Sequence, residues 1–281
     1  MTTLRIFQFN IDALLDLELA DGVRPGEIST HEVAVAGYSG APRRCCPFLL
    51  KQMCDWLNAP EFMPSDRNRV LLGVVRAVLA HLYLVWIHPF GDGNGRTARL
   101  LEVQVLLAAG VPMPAAQLLS NHYNKTRSQY YRELSRSSRE GPLPFLLYAA
   151  RGFVDGLDEQ LAMVWRWQLV RSWRDYVYSQ FRNRRSAAND RRRDLLLVLA
   201  RKEGPNFVAL TAIQELTPRL AQLYATVGPR TLSRDVAAMC REQLLVPSAT
   251  GYGANLDILR SWQARRRTQD AAETEPAAGN V

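Results

Sequence analysis

A strongly apolar segment with helical spacing, residues 70–87, leads directly into a loop that has three glycines within five positions. The apolar side chains of this segment recur every three or four residues, which predicts a buried helix. Arg76 and His81 interrupt the segment, so we interpret it as a core helix and not as a membrane span. A second helical run, residues 96–109, follows the loop and stops at Gly110. The chain is therefore predicted to contain a helix–loop–helix corner inside a globular domain.

Helical patterns dominate the rest of the chain as well. Further helices are predicted at residues 126–139, 145–181, 195–200, 211–225 and 231–243. Residues 32–38 alternate and predict a short exposed β-hairpin, whereas residues 244–259 predict a second hairpin, with its turn at 250–253 and its last strand at 256–259. The predicted fold class is therefore mainly α. The order of helix, helix, helix and hairpin near the C-terminus resembles a winged helix, which would be a small α+β module.

The positive charge of the chain is concentrated in one segment. The formal net charge is +8, and residues 171–202 contain ten basic and three acidic residues, which leaves +7 in this segment alone. Such a segment could bind a polyanion such as nucleic acid. It could equally be a solvated helix end and linker.

Composition and cysteine use indicate the compartment. Apolar residues make up 47% of the chain and charged residues 22%, which is typical of a globular protein. The four cysteines form no C-x-x-C pair, and the first ten residues lack the pattern of a secretory signal. We therefore expect a cytoplasmic protein.

Residues 88–99 combine the glycine-rich loop with side chains that suit phosphate chemistry. The glycines allow sharp turns whose N–H groups can face an anion, and the next helix adds the positive end of its dipole. Arg96 and Arg99 can reach a polyphosphate from one helix face. Asp92 is an oxygen ligand suited to Mg²⁺ beside phosphates, and a neutral His88 could take a proton from a hydroxyl. An ordinary helix–loop–helix corner is the alternative, but so many matching positions favour transfer of a phosphate-containing group.

These twelve residues resemble the signature of a known family. Their sequence is HPFGDGNGRTAR, which matches at every defined position the Fic-family pattern H-x-F-x-[DE]-G-N-G-R-x-x-R. The resemblance covers about residues 10–155, since residues 22–42 are similar to the family's upstream stretch and flap, and residues 121–134 to the region that closes its nucleotide pocket. Members of this family are mostly adenylyltransferases that move AMP from ATP to a hydroxyl of a target protein. The resemblance implies the same activity, a nucleotidyl transfer to a Tyr, Thr or Ser side chain.

The resemblance also assigns roles to single residues. His88 would be the general base, and Asn94 would stabilise the charge that grows on the α-phosphate. Asp92 would hold the magnesium ion, with Mn²⁺ as an alternative, and Tyr131 would lie near the adenine of ATP, the co-substrate. The phosphate-binding residues would be Gly93, Asn94, Gly95, Arg96 and Arg99.

A flap would position the target protein. Its residues would be Val33, Ala34, Val35, Ala36 and Gly37. The resemblance implies that they pair with the backbone of the target as an added strand.

One departure from the family concerns self-restraint. Many relatives carry an inhibitory helix with the pattern [ST]-x-x-x-E-[GN], whose glutamate pairs with the second arginine of the signature. In this chain Glu215 is the glutamate that follows a Ser or Thr at this spacing, and Leu216 comes after it. We therefore expect an enzyme without its own inhibitory glutamate, either because the segment precedes the start of this chain or because another chain supplies it.

The predicted organisation has four parts. They are a Fic catalytic domain at 1–155, a basic helical connector at 156–190, a winged-helix-like domain at 191–262 and a disordered tail at 263–281. In the third part residues 231–243 would be a recognition helix and residues 251–253 a wing tip, with Arg230, Arg234 and Arg241 as candidate contacts to DNA. Docking of a protein, or of a second copy as a homodimer, is the alternative use of such a module.

Two other functions stay open at this point. In one, the protein is a DNA-binding regulator whose Fic fold senses a nucleotide without turnover. In the other, the same fold transfers UMP or phosphate, which the fold alone does not distinguish from AMP transfer. The predicted partners are ATP, a target protein that could be the chain itself, and DNA; no membrane is expected.

Overall fold

The computed structural model describes residues 1–30, 34–35, 38–62, 65, 67–184, 186–201 and 207–259. The chain divides into two compact units, Met1–Gln160 and Leu161–Val281. The described part is mainly α-helical, as predicted from the sequence. The helices of the first unit are α1 (Thr3–Leu14), α2 (Cys46–Leu57), α3 (Arg69–Ile87), α4 (Asn94–Ala108), α5 (Met113–Ala116), α6 (Leu118–Lys125) and α7 (Arg127–Glu140). Helix α8 (Leu143–Phe181) begins in the first unit and ends in the second.

The core of the first unit forms around α3, which packs along α4 and against α2, while α1 packs on α4. Ala77, Val78, Leu82 and Leu101 are fully buried at its centre. A Cβ on Gly73 would collide with the Cβ of Ala109, so the glycine lets the start of α3 approach the end of α4 closely. In the described part of the chain, α3 is the one helix that could cross a membrane by length and composition, but most of it is buried inside the first unit, as expected for a core helix.

The first predicted hairpin is present as two short antiparallel strands, β1 (Ala34–Val35) and β2 (Tyr38–Ser39). Ala34 pairs with Ser39, and Val35 pairs with Tyr38. Of the predicted flap residues, Val33, Ala36 and Gly37 lie outside the described residues.

The second unit is built around the last third of α8. Its other helices are α9 (Ala187–Arg201), α10 (Leu210–Ile213), α11 (Pro218–Ala225) and α12 (Thr231–Arg241). Trp173 and Val177 of α8 are fully buried against α9 residues such as Leu196, and the indole N–H of Trp173 donates to the carbonyl of Leu196 at 3.0 Å. Residues 156–190 were predicted to be a basic helical connector, and the apolar residues at the end of α8 within that segment recur at helical spacing and are buried beneath α9.

The second hairpin exists but lies earlier in the chain than predicted. Its strands are β3 (Leu245–Ser248) and β4 (Gly251–Ala254), so the expected turn at 250–253 is mostly strand and the expected strand at 256–259 is not one. Gly251 explains why the strand begins here. It has φ +145°, and a Cβ at this position would collide with the backbone of Val208. Tyr252 of β4 exchanges two 2.9 Å backbone hydrogen bonds with Val208. The glycine therefore serves a close backbone approach and not a turn.

A buried ion cluster joins α9 to α12. Asp235, which is 2% exposed, accepts hydrogen bonds from Arg192 at 2.8 Å and from Arg191 at 3.3 Å. The hydroxyl of Tyr224 donates to the same carboxylate at 3.3 Å, and both burial and Asp235 raise the pKa of Tyr224. Part of the basic segment is therefore used inside the second unit, where one carboxylate offsets part of its charge.

Candidate active site

His88 ends α3 in a left-handed conformation, with φ +50° and ψ +54°, and its backbone N–H donates to the carbonyl of Leu84 at 3.0 Å. Its Nδ1 lies 3.2 Å from the carbonyl oxygen of Val85. Because a carbonyl oxygen only accepts, this contact places the proton on Nδ1 and leaves a lone pair on Nε2. Burial lowers the pKa of His88, against a smaller opposing effect of the Val85 hydrogen bond. A neutral imidazole with a free Nε2 is the form that a general base needs.

The loop after His88 is held closed by Asn94. The Asn94 amide donates to the carbonyl of Phe90 at 2.7 Å and accepts from the backbone N–H of Phe90 at 3.0 Å. Asn94 is 3% exposed and Phe90 is fully buried, so this pair of bonds anchors the loop in the core. The family resemblance assigns charge stabilisation to Asn94, but the Asn94 side chain has a structural task here. The backbone N–H of Asn94, in the first turn of α4, is the group that can face an anion.

A residue that the sequence analysis missed, Asn10 of α1, supports the loop from outside. Its amide nitrogen donates to the carbonyl of Asp92 at 3.0 Å and to the hydroxyl of Thr97 at 3.2 Å, and its oxygen accepts from the N–H of Gly26 at 2.9 Å. Asn10 is fully buried. The nearest sequence signal is a single polar residue on the apolar face of α1, and the contact to Asp92 spans 82 positions, so local patterns could not identify its partner.

Two glycines of the loop are used differently. Gly93 has φ +77°, and a Cβ there would lie 3.0 Å from the Asn10 amide nitrogen and from Leu14. A side chain on Gly95 would meet only the Arg99 guanidinium, at 4.0 Å. Gly93 is therefore required by the backbone, whereas Gly95 leaves open surface beside Arg99 at the start of α4.

The charged groups of the loop are arranged around that surface. Arg96 donates to both carboxylate oxygens of Asp92 at 3.0 Å, and also to the carbonyl of Ala13 at 3.3 Å. The carboxylate of Asp92 also accepts from the N–H of Gly93. Arg99 lies beside them, and among the described residues no carboxylate comes within 4 Å of its guanidinium. Its charge is thus available to an anionic ligand.

The predicted residues meet at one cavity of about 440 Å³. It is lined by Val85, His88, Gly91, Asp92, Gly93, Asn94, Gly95, Arg96, Arg99, Arg127, Tyr130, Tyr131 and Leu134. Tyr131 forms part of the wall, with the Arg127 guanidinium 5.9 Å from its ring centre. The structure therefore brings together all the predicted loop residues and Tyr131 at one cavity.

Whether the cavity could hold a Mg²⁺ ion depends on Asp92. Over the described residues no group of three or more His, Cys, Asp or Glu side chains is placed to hold a metal ion. Mg²⁺ in nucleotide sites commonly uses one or two carboxylates and takes its other ligands from phosphates and water. The Asp92 side chain is 52% exposed at the cavity, so its chemistry fits such a shared ion once Arg96 releases it.

A buried polar cluster lies behind the cavity wall. The Nε2 of His81 lies 3.0 Å from the hydroxyl of Tyr130, and the hydroxyl of Tyr123 donates to Glu102 at 2.8 Å. His81 and Glu102 are both fully buried, with 3.6 Å between His81 Nδ1 and a Glu102 oxygen. Burial and Glu102 raise the pKa of Tyr123. This cluster supports the wall from inside, and among the described histidines His88 is the one that lines the cavity.

Both ends of the flap segment are tied to the peptides that flank His88. The N–H of Ser29, before the hairpin, donates to the carbonyl of Pro89 at 2.9 Å, and Ile28 bridges to Phe90. The N–H of Ala41, after the hairpin, donates to the carbonyl of Ile87 at 3.2 Å. The hairpin is therefore anchored on both sides of the candidate base.

Comparison with known proteins agrees with this site. Residues 8–106 match the model of the Fic/DOC family. The chain is 33% identical over 149 residues to protein adenylyltransferase fic-1 of Caenorhabditis briggsae, covering 51% of this chain and 27% of that protein. It is 35% identical over 133 residues to protein adenylyltransferase Fic of Drosophila mojavensis, covering 46% and 24%. The chain thus spans about a quarter of the length of these curated relatives.

Solved structures of related proteins are similar in part. For Fic-1 of Caenorhabditis elegans (residues 134–508) the TM-score is 0.43 at 28% identity, over 58% of this chain and 44% of that one. For a Fic family protein of Desulfovibrio desulfuricans G20 the TM-score is 0.48 at 15% identity, over 90% and 68%. On the sequence matches, residues 8–106 of the first unit are similar to the Fic/DOC family, and the site resembles that of a Fic domain.

Proposed function

We propose that the first unit transfers AMP from ATP to a hydroxyl of a target protein. The observation that carries the proposal is the position of His88, which lines the same cavity as the glycine-rich start of α4 and the guanidinium of Arg99. Among the described residues no carboxylate lies within 4 Å of that guanidinium. Base and anion-binding groups at one cavity are what a transfer from a polyphosphate to a hydroxyl requires. The relatives named protein adenylyltransferase support AMP as the group that is transferred.

In the proposed reaction His88 Nε2 accepts the proton of a Tyr, Thr or Ser hydroxyl. The hydroxyl oxygen then forms a bond to the α-phosphorus of ATP, and the bond from that phosphorus to the oxygen bridging the α- and β-phosphates breaks. Pyrophosphate leaves with the bonding electrons, and the proton passes from His88 to water. A positioned base contributes on the order of 10²–10⁴ in rate, so the reaction depends strongly on this residue.

The remaining charged groups of the cavity would hold the nucleotide. The first N–H groups of α4 would face the phosphates, and Arg96 and Arg99 would bind the β- and γ-phosphates. A Mg²⁺ or Mn²⁺ ion on Asp92 would neutralise phosphate charge when it is bound. The ion pair between Asp92 and Arg96 occupies both side chains, so nucleotide binding would replace this pair with contacts from each residue to the ligand.

Two further proposals concern the target and regulation. The target would add a strand to the hairpin of β1 and β2, whose anchors flank His88, in the manner of β-augmentation. Regulation by an intramolecular glutamate would be lacking in this chain. The isolated Arg99 guanidinium supports this second proposal within the described residues.

The test is transfer of label from ATP. The full chain is incubated with Mg²⁺, with ATP labelled at the α- or the γ-phosphate, and with a cell extract as a source of targets, beside His88→Ala. We expect protein labelling from the α-position only, loss of at least about 100-fold in the variant, and retained ATP binding by the variant. Labelling from the γ-position would show that the protein transfers phosphate and not AMP. Labelling from UTP in place of ATP would show that it transfers UMP. Tight ATP binding with no labelling of any protein would contradict the proposed transfer activity and favour a nucleotide sensor.

A further inference from the structure

One face of α12 in the second unit is exposed and basic. Arg230, which precedes the helix, and Arg234 and Arg241 within it are exposed and lie four and then seven residues apart, a spacing that places them along one side of a helix. The other exposed residues of that side, Ser233 and Ala237, are small. The face therefore presents three guanidinium groups with no large apolar side chain between them.

The opposite face of α12 fixes the helix to the second unit. Leu232, Val236 and Met239 are buried in its core, and Asp235 points into the ion cluster with Arg191 and Arg192. The helix is thus held by packing and by charge pairs on its inner side. A rigidly held helix keeps its outer side chains in a constant arrangement, which is a requirement for docking on a regular surface.

The acidic residues near this face are already paired elsewhere. Asp235 is buried, and Glu242 accepts from Arg184 at 2.6 Å. Over the part of the chain that the structure describes, none of the three arginines has a carboxylate within 4 Å. The surface is therefore complementary to an anionic partner whose charges are spread along a line.

The elements around α12 have the order of a helix-turn-helix. Helix α11 precedes it, residues 226–230 with Gly228 form the turn, and the hairpin of β3 and β4 follows at once, tied back by the N–H of Leu244 donating to the carbonyl of Met239 at 2.9 Å. In helix-turn-helix proteins the second helix enters the major groove while the first crosses the backbone. The order here places the arginine face on the second helix.

We infer that the arginine face of α12 binds double-stranded DNA, with the helix lying in the major groove. From Arg230 to Arg241 the helix rises about 16 Å, and the groove is about 12 Å wide and accepts one helix. Arginine suits both partners that a groove offers, the phosphates on its rims and the O6 and N7 atoms of guanine. The hairpin turn at residues 249–250 carries no charge, so the contact is assigned to α12 and not to the turn. The inference is independent of AMP transfer.

The test measures binding of the full chain to a labelled random-sequence 30-base-pair duplex over a salt series. We expect binding whose logarithm falls linearly with the logarithm of salt concentration. Replacing Arg230, Arg234 and Arg241 together by alanine should flatten this slope by about 1 to 3, at about 0.9 for each lost phosphate contact. A matched variant with Arg132, Arg136 and Arg139 of α7 replaced by alanine loses the same charge from another exposed face and should keep the slope and the affinity.

Four outcomes would overturn the inference, the first three of which concern DNA binding itself. They are absence of binding by the unaltered chain at 50 mM salt, an equal loss in the two triple variants, and equal binding to single-stranded DNA and to the duplex. A fourth is tighter binding to polyglutamate than to the duplex, which would identify an acidic protein as the partner of this face. Circular dichroism of both triple variants confirms that the comparison is between folded proteins, because all six arginines are exposed.

Discussion

The Nδ1 of His88 lies 3.2 Å from the carbonyl oxygen of Val85, so the last turn of α3 itself determines which nitrogen of the imidazole faces the cavity. The helix end acts as the orienting group that a carboxylate provides in many other bases. A carbonyl does not titrate, and it stabilises the imidazolium less than a carboxylate would. The carbonyl of Val85 therefore fixes the orientation of the His88 ring while the pKa of His88 stays lowered by burial.

The lowered pKa of His88 predicts the pH dependence of the proposed AMP transfer. Protonation removes the lone pair of Nε2, so the rate should fall as pH decreases through the pKa in the folded protein. Since burial lowers that pKa below the ordinary value of 6.5, the rate at pH 6.5 should be more than half of its plateau value. A profile of rate against pH at saturating ATP checks this, and a midpoint of the acidic limb above 6.5 would contradict it.

Asn10 should be required for both stability and activity. Replacement by alanine removes three hydrogen bonds at a fully buried position and leaves the N–H of Gly26 and the hydroxyl of Thr97 without this partner. We expect a loss of about 1–3 kcal/mol in the free energy of unfolding and a lower transfer rate, because the loop is less well positioned. Asp12→Ala on the exposed face of the same helix is the control, and equal effects of the two changes on denaturation and rate would refute the role of Asn10.

The glycines of the loop should separate stability from nucleotide binding. Gly93→Ala introduces a side chain at φ +77° against Asn10 and Leu14, so the melting temperature should fall and activity should be lost with it. Gly95→Ala meets no part of the fold closer than 4.0 Å. It should keep the melting temperature and weaken ATP binding, because its methyl group occupies the surface beside Arg99. Calorimetric ATP titration and thermal unfolding of both variants test this, and unchanged ATP affinity in Gly95→Ala would count against a phosphate site there.

The ion cluster of the second unit gives a stability prediction. Asp235→Ala leaves Arg191 and Arg192 facing a buried site without a counter-charge, and we expect a loss of about 3–5 kcal/mol. Glu242→Ala breaks a pair that is exposed on both sides and should cost about 0–1 kcal/mol. Urea unfolding reports on this unit when it is followed by the fluorescence of Trp173 in a background with the other five tryptophans replaced by phenylalanine. Similar midpoints for the two variants would show that the cluster contributes little.

Local sequence patterns predicted most of the helices and the loop. The helix over residues 70–87 is observed at Arg69–Ile87, and the residues of the signature meet at one cavity because they are neighbours in sequence on a helix–loop–helix corner. The flap's target docking and the regulatory predictions stay predictions. The contribution of Asn10 was out of reach, because it arises from packing of α1 on α4.

Charge and glycine patterns were less informative where tertiary contacts decide their use. Arg191 and Arg192 belong to the basic segment in sequence, but a single aspartate 43 positions from Arg192 pairs with both of them inside the second unit. Gly251 was interpreted as part of a turn, whereas the close approach of Val208 makes it part of a strand. In both cases the sequence shows the residue type and the fold supplies the reason for it.

The anchoring of the hairpin on Ile87 and Pro89 has a consequence for the choice of target. If a target strand pairs with β1, its residues are spaced at regular intervals of about 3.3 Å from His88. The hydroxyl that reaches Nε2 is then chosen by its number of residues from the paired segment. The domain would thus measure position along an extended chain, and it would accept different target sequences provided that the acceptor stands at the correct count.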